Sequence, residues 1–122
     1  MPWSPNDSDK YTAAGVERCL SQAVQWIQYC NDNVAIPMLV TPAPVNGINS
    51  TQEAFRRSVC DGVRAMCASG AAILIDRDSV YTDYTTLSGG YKSGLNFDTV
   101  HPNAAGYNLE AAAWASAISK LA

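Results

Sequence analysis

The chain has 122 residues, 48% of them apolar and 16% charged, with a formal net charge of −3. That balance describes one small globular domain over residues 1–122 and excludes a disordered chain. Eleven acidic against eight basic residues, without a basic cluster, argue against nucleic acid and anionic membrane as partners. No apolar run approaches the ~20 residues needed to span a bilayer.

Residues 1–10 are polar and rich in Pro, Asp and Ser, and read as loop. Met1-Pro2-Trp3-Ser4-Pro5-Asn6-Asp7 has neither the basic start nor the apolar stretch of a signal peptide. Localisation stays open between the cytoplasm and secretion after processing. Val16, Cys19, Leu20, Ala23, Val24 and Ile27 recur at helical spacing and predict a helix from Thr12 to Cys30, stopped by Asn31-Asp32-Asn33. Val34 to Thr41 is a short apolar run without alternation, as in a buried parallel strand. Pro37 donates no ladder hydrogen bond, so it belongs at that strand's start or on an edge.

Thr41 to Gly47 is a loop. Ser50 and Glu53 then form a capping box ahead of Phe55, Val59, Val63 and Met66, and Ser69-Gly70 ends this second helix. Ala71 to Asp76 reads as a strand centred on Ile73, Leu74 and Ile75. Residues 77–100 are mostly loop, with Asp76 and Asp78 in turn or capping roles. The aromatic residues Tyr81, Tyr84, Tyr91, Phe97 and Tyr107 fit a cleft lining, a core or an interface. Pro102 or Asn103 opens a last helix to Leu121, with Pro102 at the first helical position and Leu109, Ala113, Ile118 and Leu121 able to face inward. Strands alternating with helices argue for an α/β layer around a parallel sheet, with the first two helices on one face.

Two parallel strands with about three helices make a small sheet. Its open edge, Val34–Val40, invites pairing, so the expected state is a homo-oligomer or a domain completed by a further N-terminal half. Cys19 and Cys30, eleven apart, and Cys60 and Cys67, seven apart, each lie along one helix face. Burial as small hydrophobes is one reading and a disulfide tying the two helices is the other. No CxxC pair, phosphate loop or metal cluster stands out, so no metal or organic cofactor is implied.

The stretch that carries chemistry is Asp98-Thr99-Val100-His101-Pro102-Asn103-Ala104-Ala105-Gly106-Tyr107. A serine hydroxyl is a poor nucleophile until an imidazole takes its proton, and the imidazole needs a carboxylate to hold its tautomer. His101 is the chain's single histidine, so any imidazole chemistry uses it. The stretch resembles the DxxHPN…G signature near the C-terminus of SGNH-type (GDSL-type) ester hydrolases. The resemblance implies a flavodoxin-like three-layer α/β/α fold, here truncated, with His101 as general base and then acid and Asp98 orienting it.

Trp3-Ser4-Pro5-Asn6-Asp7 also resembles the family's GxND segment, which implies Asn6 as an oxyanion donor. The Gly-Asp-Ser segment that carries the family's nucleophile is absent, as is a Gly-x-Ser-x-Gly elbow. Ser4 and Ser8 flank Asn6 and are the candidate substitutes, although each reads more simply as a loop hydroxyl. The implied substrates are carboxylic esters: short acyl esters, lipid esters or acetylated sugars. A different reading is a non-catalytic α/β module that binds a carbohydrate or a protein.

Overall fold

The computed structural model describes residues 11–121. Its elements are α1 Ala13–Asp32, β1 Met38–Val40, α2 Ser50–Ala68, β2 Ile73–Ile75, α3 Arg77–Tyr81 and α4 Ala104–Ser119. The α/β class and the two parallel strands are as expected. The helix α3 is an addition, formed where loop was read, and Asp76 caps it by accepting from the Ser79 N–H at 3.2 Å.

Thr12 opens α1, its hydroxyl accepting from the Gly15 N–H at 3.0 Å. The helix closes in a Schellman turn: the Ala35 N–H donates to Cys30 O at 2.8 Å and the Val34 N–H to Asn31 O at 3.3 Å. The left-handed position of that turn falls on Val34, with φ 55° and 96% exposure. Glycine is the usual resident there, because a branched side chain crowds the backbone. The turn consumes residues the sequence reading gave to the strand, so β1 begins at Met38 rather than Val34. Pro37 sits just ahead of it, with its carbonyl accepting from the Ile73 N–H at 3.0 Å.

The helix α2 is capped one residue earlier than the sequence reading has it. The Asn49 side chain accepts from the Gln52 N–H, and the Gln52 side chain from the Asn49 N–H, each at 2.9 Å. Ser50 is then the first helical residue, and Glu53 turns inward to full burial.

Met38, Leu39 and Val40 stand opposite Ile73, Leu74 and Ile75. Leu39 joins Cys19, Ala23, Phe55, Val59 and Val63 in the main core, with Leu74 packed against it. The helices α1 and α2 therefore cover one face of the sheet. Ile75 alternates to the other face, where it is fully buried and α4 packs along β2. A buried side chain of this size contributes about 1.5–3 kcal/mol.

The four thiols are free, with Cys19, Cys30 and Cys60 buried. No disulfide ties the helices. In α4 the buried face is made by Gly106 and Ala117, while Leu109 and Ile118 are half exposed. That differs from the expected inward stripe: small residues meet the rest of the domain, and the larger ones point away. Among the described residues no third strand pairs with β1 or β2, and no helix is long and apolar enough to cross a membrane.

Candidate active site

Beyond the C-terminal ends of the strands lies a buried ionic network. Arg56 of α2 is fully buried, and its guanidinium donates to Glu53 Oε1 at 2.5 Å, Glu53 Oε2 at 2.9 Å and Asp78 Oδ1 at 2.7 Å. It also reaches the carbonyl of Pro42 at 2.8 Å and the Thr82 hydroxyl at 3.1 Å. Arg64 forks onto both oxygens of Asp76, at 3.0 and 2.9 Å, and reaches Asp78 Oδ2 at 2.5 Å. Thr41, the residue after β1, donates its hydroxyl to Asp76 and accepts from the Asp78 N–H at 2.9 Å.

Burial works against the charge of Asp78, but hydrogen bonds from Thr82, Tyr84 and Arg64 outweigh it and hold its pKa down at about 2. The Cys60 thiol, beside Arg56, is pushed up to about 12, chiefly by burial. It stays protonated at neutral pH and is a poor nucleophile. This network fixes the two strand ends, α2 and α3 as one body. Sequence reasoning missed it. The available signal was Arg56 itself, one turn from Cys60 and two from Val63 on the apolar face of α2.

The Asp98–His101 turn is built on this frame. Asp98 Oδ1 accepts from the Val100 N–H at 2.8 Å and the His101 N–H at 2.7 Å, which fixes the turn. The same carboxylate meets His101 Nδ1 at 2.8 Å through Oδ2 and at 3.0 Å through Oδ1. The Val100 N–H and then the His101 ring hold the Asp98 carboxyl below the usual carboxylate range. A carboxylate only accepts, so Nδ1 carries a proton, and in the neutral ring the Nε2 lone pair is free. The His101 side chain is 64% exposed, and among the described residues Nε2 has no hydrogen-bond partner. The pair can therefore take a proton at Nε2, with Asp98 stabilising the resulting imidazolium.

The residues around the pair have structural tasks. Asn103 caps α4, accepting from the Gly106 N–H at 2.9 Å, and its Nδ2 donates to Gly94 O at 2.7 Å. Pro102 therefore lies just before the cap and not at the first helical position. Gly106 is required for close approach: a Cβ there would stand 2.6 Å from Leu95 O and 2.8 Å from Tyr81 Cε1. Glu110 ties α4 to α3 by accepting from Arg77 Nε and Tyr81 Oη, each at 2.8 Å, and within α4 it accepts from Trp114 Nε1 at 2.9 Å.

Of the site residues read from the sequence, the structure brings Asp98 and His101 together. Asn6, Ser4 and Ser8 lie outside the described residues. Asp76 keeps its capping role, while Asp78 is the centre of the ionic network. The aromatic group divides: Tyr81 and Tyr91 are buried edge to face at 5.4 Å, whereas Tyr84, Phe97 and Tyr107 are exposed.

No family model and no curated protein matches the chain. Solved structures do. A candidate acylhydrolase from Bacteroides fragilis NCTC 9343 superposes with TM-score 0.74 at 19% identity, over 87% of this chain and 52% of that one. A candidate lipolytic protein of the G-D-S-L family from Desulfitobacterium hafniense DCB-2 gives TM-score 0.63 at 20% identity, over 84% and 55%. The chain thus spans about half the length of these structures. At such identities the likeness is one of fold: the α/β arrangement of this chain matches about half of each of these structures.

Proposed function

We propose that this chain is the His/Asp part of an ester hydrolase that acts on carboxylic esters. The observation that carries this reading is the grip of Asp98 on both Nδ1 and the backbone N–H of His101, which aims an unoccupied Nε2 at solvent. His101 is general base in acylation and general acid on the leaving alcohol. Asp98 holds the tautomer, and Asn6 donates to the tetrahedral oxyanion. Ser4 and Ser8 are the candidate nucleophiles in this chain. The substrates are short acyl esters, lipid esters or acetylated sugars, and no cofactor takes part. The names of the two solved neighbours, an acylhydrolase and a lipolytic protein, agree with this class of reaction.

A second reading, a non-catalytic module that binds a carbohydrate or a protein partner, is favoured by one observation: no hydroxyl or thiol among the described residues stands at Nε2. Acyl release from an unactivated short-chain ester separates the two. Activity lost in His101→Ala supports the hydrolase. Its further loss or retention in Ser4→Ala and Ser8→Ala then decides whether either serine attacks. Wild-type rates equal to those of His101→Ala support the binding module.

A further inference from the structure

The turn from Asp98 to His101 is held from two sides. Its inward-facing amides, Val100 N–H and His101 N–H, are spent on Asp98 Oδ1. Its outward-facing carbonyls are taken by two residues from elsewhere in the fold. The Asn46 N–H donates to Thr99 O at 2.9 Å, and the Tyr91 hydroxyl donates to Val100 O at 2.9 Å. These two residues are themselves joined, because Asn46 Oδ1 accepts from the Tyr91 N–H at 2.8 Å.

Each is anchored in a different part of the domain. Asn46 belongs to the loop that leaves β1. Tyr91 is 7% exposed, stacks edge to face on Tyr81, and pairs across an antiparallel bridge with Thr82. Thr82 is a member of the Arg56 network, donating to Asp78 Oδ1 at 2.6 Å. Gly90 leaves room for the junction, since a Cβ there would lie 2.6 Å from Asn46 Oδ1. Side-chain hydrogen bonds, joined by the β-bridge at Thr82 and Tyr91, thus connect the buried arginine to the peptide units that carry the imidazole.

Geometry of this kind matters because the His101 side chain is 64% exposed, so packing alone does little to fix its ring. Its orientation depends on Asp98, and the orientation of Asp98 depends on the turn. We propose that Asn46 and Tyr91 are positioning residues for His101: they clamp the Thr99 and Val100 carbonyls so that Asp98 stays on Nδ1 and Nε2 keeps one direction. This rests on the ester-hydrolase reading of the pair.

The single histidine makes the claim measurable without activity. Recorded at a pH where the ring is neutral, ¹⁵N spectra of the one imidazole in the wild type should show separate resonances for a protonated Nδ1 and a bare Nε2. Tyr91→Phe keeps the ring on Tyr81 and removes only the clamp on Val100. Asn46→Ala removes the link to Tyr91, and Asn46→Asp restores an acceptor there. The expected result is that Tyr91→Phe and Asn46→Ala draw the two nitrogen resonances together and lower kcat about tenfold at unchanged KM, as for a misplaced catalytic group. Asn46→Asp recovers most of both effects. Unchanged nitrogen resonances and kcat in Tyr91→Phe and Asn46→Ala, even with a lowered melting temperature, overturn the proposal. If the wild type hydrolyses no ester, the hydrolase reading fails and the nitrogen spectra alone decide the positioning role.

Discussion

Asp98 holds His101 twice, through the backbone N–H at 2.7 Å and through ring Nδ1 at 2.8 Å. One carboxylate thereby sets where the residue sits and which nitrogen carries its proton. The two tasks can be separated by substitution. In Asp98→Asn the amide oxygen still accepts from the backbone, so the turn survives. The amide nitrogen, standing where Oδ2 met Nδ1 at 2.8 Å, donates instead of accepting, so the Nδ1–H tautomer keeps only the 3.0 Å contact and loses its preference. Ester hydrolysis should fall about 10²-fold or more, with thermal stability within about 1 kcal/mol of wild type. Steady-state kinetics beside a thermal melt checks this. Retained activity in Asp98→Asn would remove Asp98 from the mechanism.

Arg56 makes a separate prediction about the frame. Replacing it with Met leaves Glu53 and Asp78 without their shared buried cation. The cost of breaking such a pair on one side is about 3–5 kcal/mol. Urea unfolding should show a loss of that order, and a loss under about 1 kcal/mol would mean that the network is solvated in solution.

The same network predicts an acid limb. The Asp78 carboxyl is held at about 2 against an ordinary 3.8. A depressed carboxylate stabilises the fold fully above its unfolded pKa and loses that contribution as pH falls through its folded one. Stability from Asp78 should therefore be flat above pH ~4 and decline between ~4 and ~2, by an amount on the order of 2 kcal/mol. Asp78→Asn should flatten this part of the pH profile. A profile with the same acid limb in Asp78→Asn would assign it to other carboxylates.

Val34 occupies the left-handed position of the α1 end with φ 55°. A β-branched residue there strains the backbone, so Val34→Gly should raise stability by about 1 kcal/mol. Its side chain is 96% exposed, and removing it forfeits little packing. A melting temperature at or below wild type would contradict the strain.

The open edge of β1 carries a prediction of assembly. We propose that two copies continue the sheet across it, given exposed Ile36 beside an edge that no other described strand covers. Light scattering should give at least twice the chain mass, and Ile36→Lys should shift the protein toward monomer. A strictly monomeric, folded wild type would refute it.

Much of this architecture is legible in the sequence, for identifiable reasons. The apolar spacing in α1 and α2 and the runs around Leu39 and Leu74 mark four elements, because burial imposes their periodicity. The resemblance of the Asp98–Gly106 stretch to a family signature marks the pair, and the turn that joins the two residues is local, its hydrogen bonds closing within four residues. What stays hidden depends on contacts distant in sequence. Arg56 reaches Asp78 and Thr82 across more than 20 residues, and Asn46 reaches Tyr91 across 45. The start of β1 is hidden for a different reason: nothing local says that a valine will take a glycine's place at a helix end.

The most direct test of the central claim is turnover of an unactivated ester. An activated ester is attacked by any exposed imidazole, but acyl release from tributyrin or from an acetylated sugar requires an oriented base. The rate should be measured for the wild type beside His101→Ala and Asp98→Asn. Release by the wild type, abolished in His101→Ala and strongly reduced in Asp98→Asn, is the expected result. Release that persists in His101→Ala, or its absence from all three proteins, would contradict the assignment of the Asp98–His101 pair as the catalytic base of an ester hydrolase in this chain.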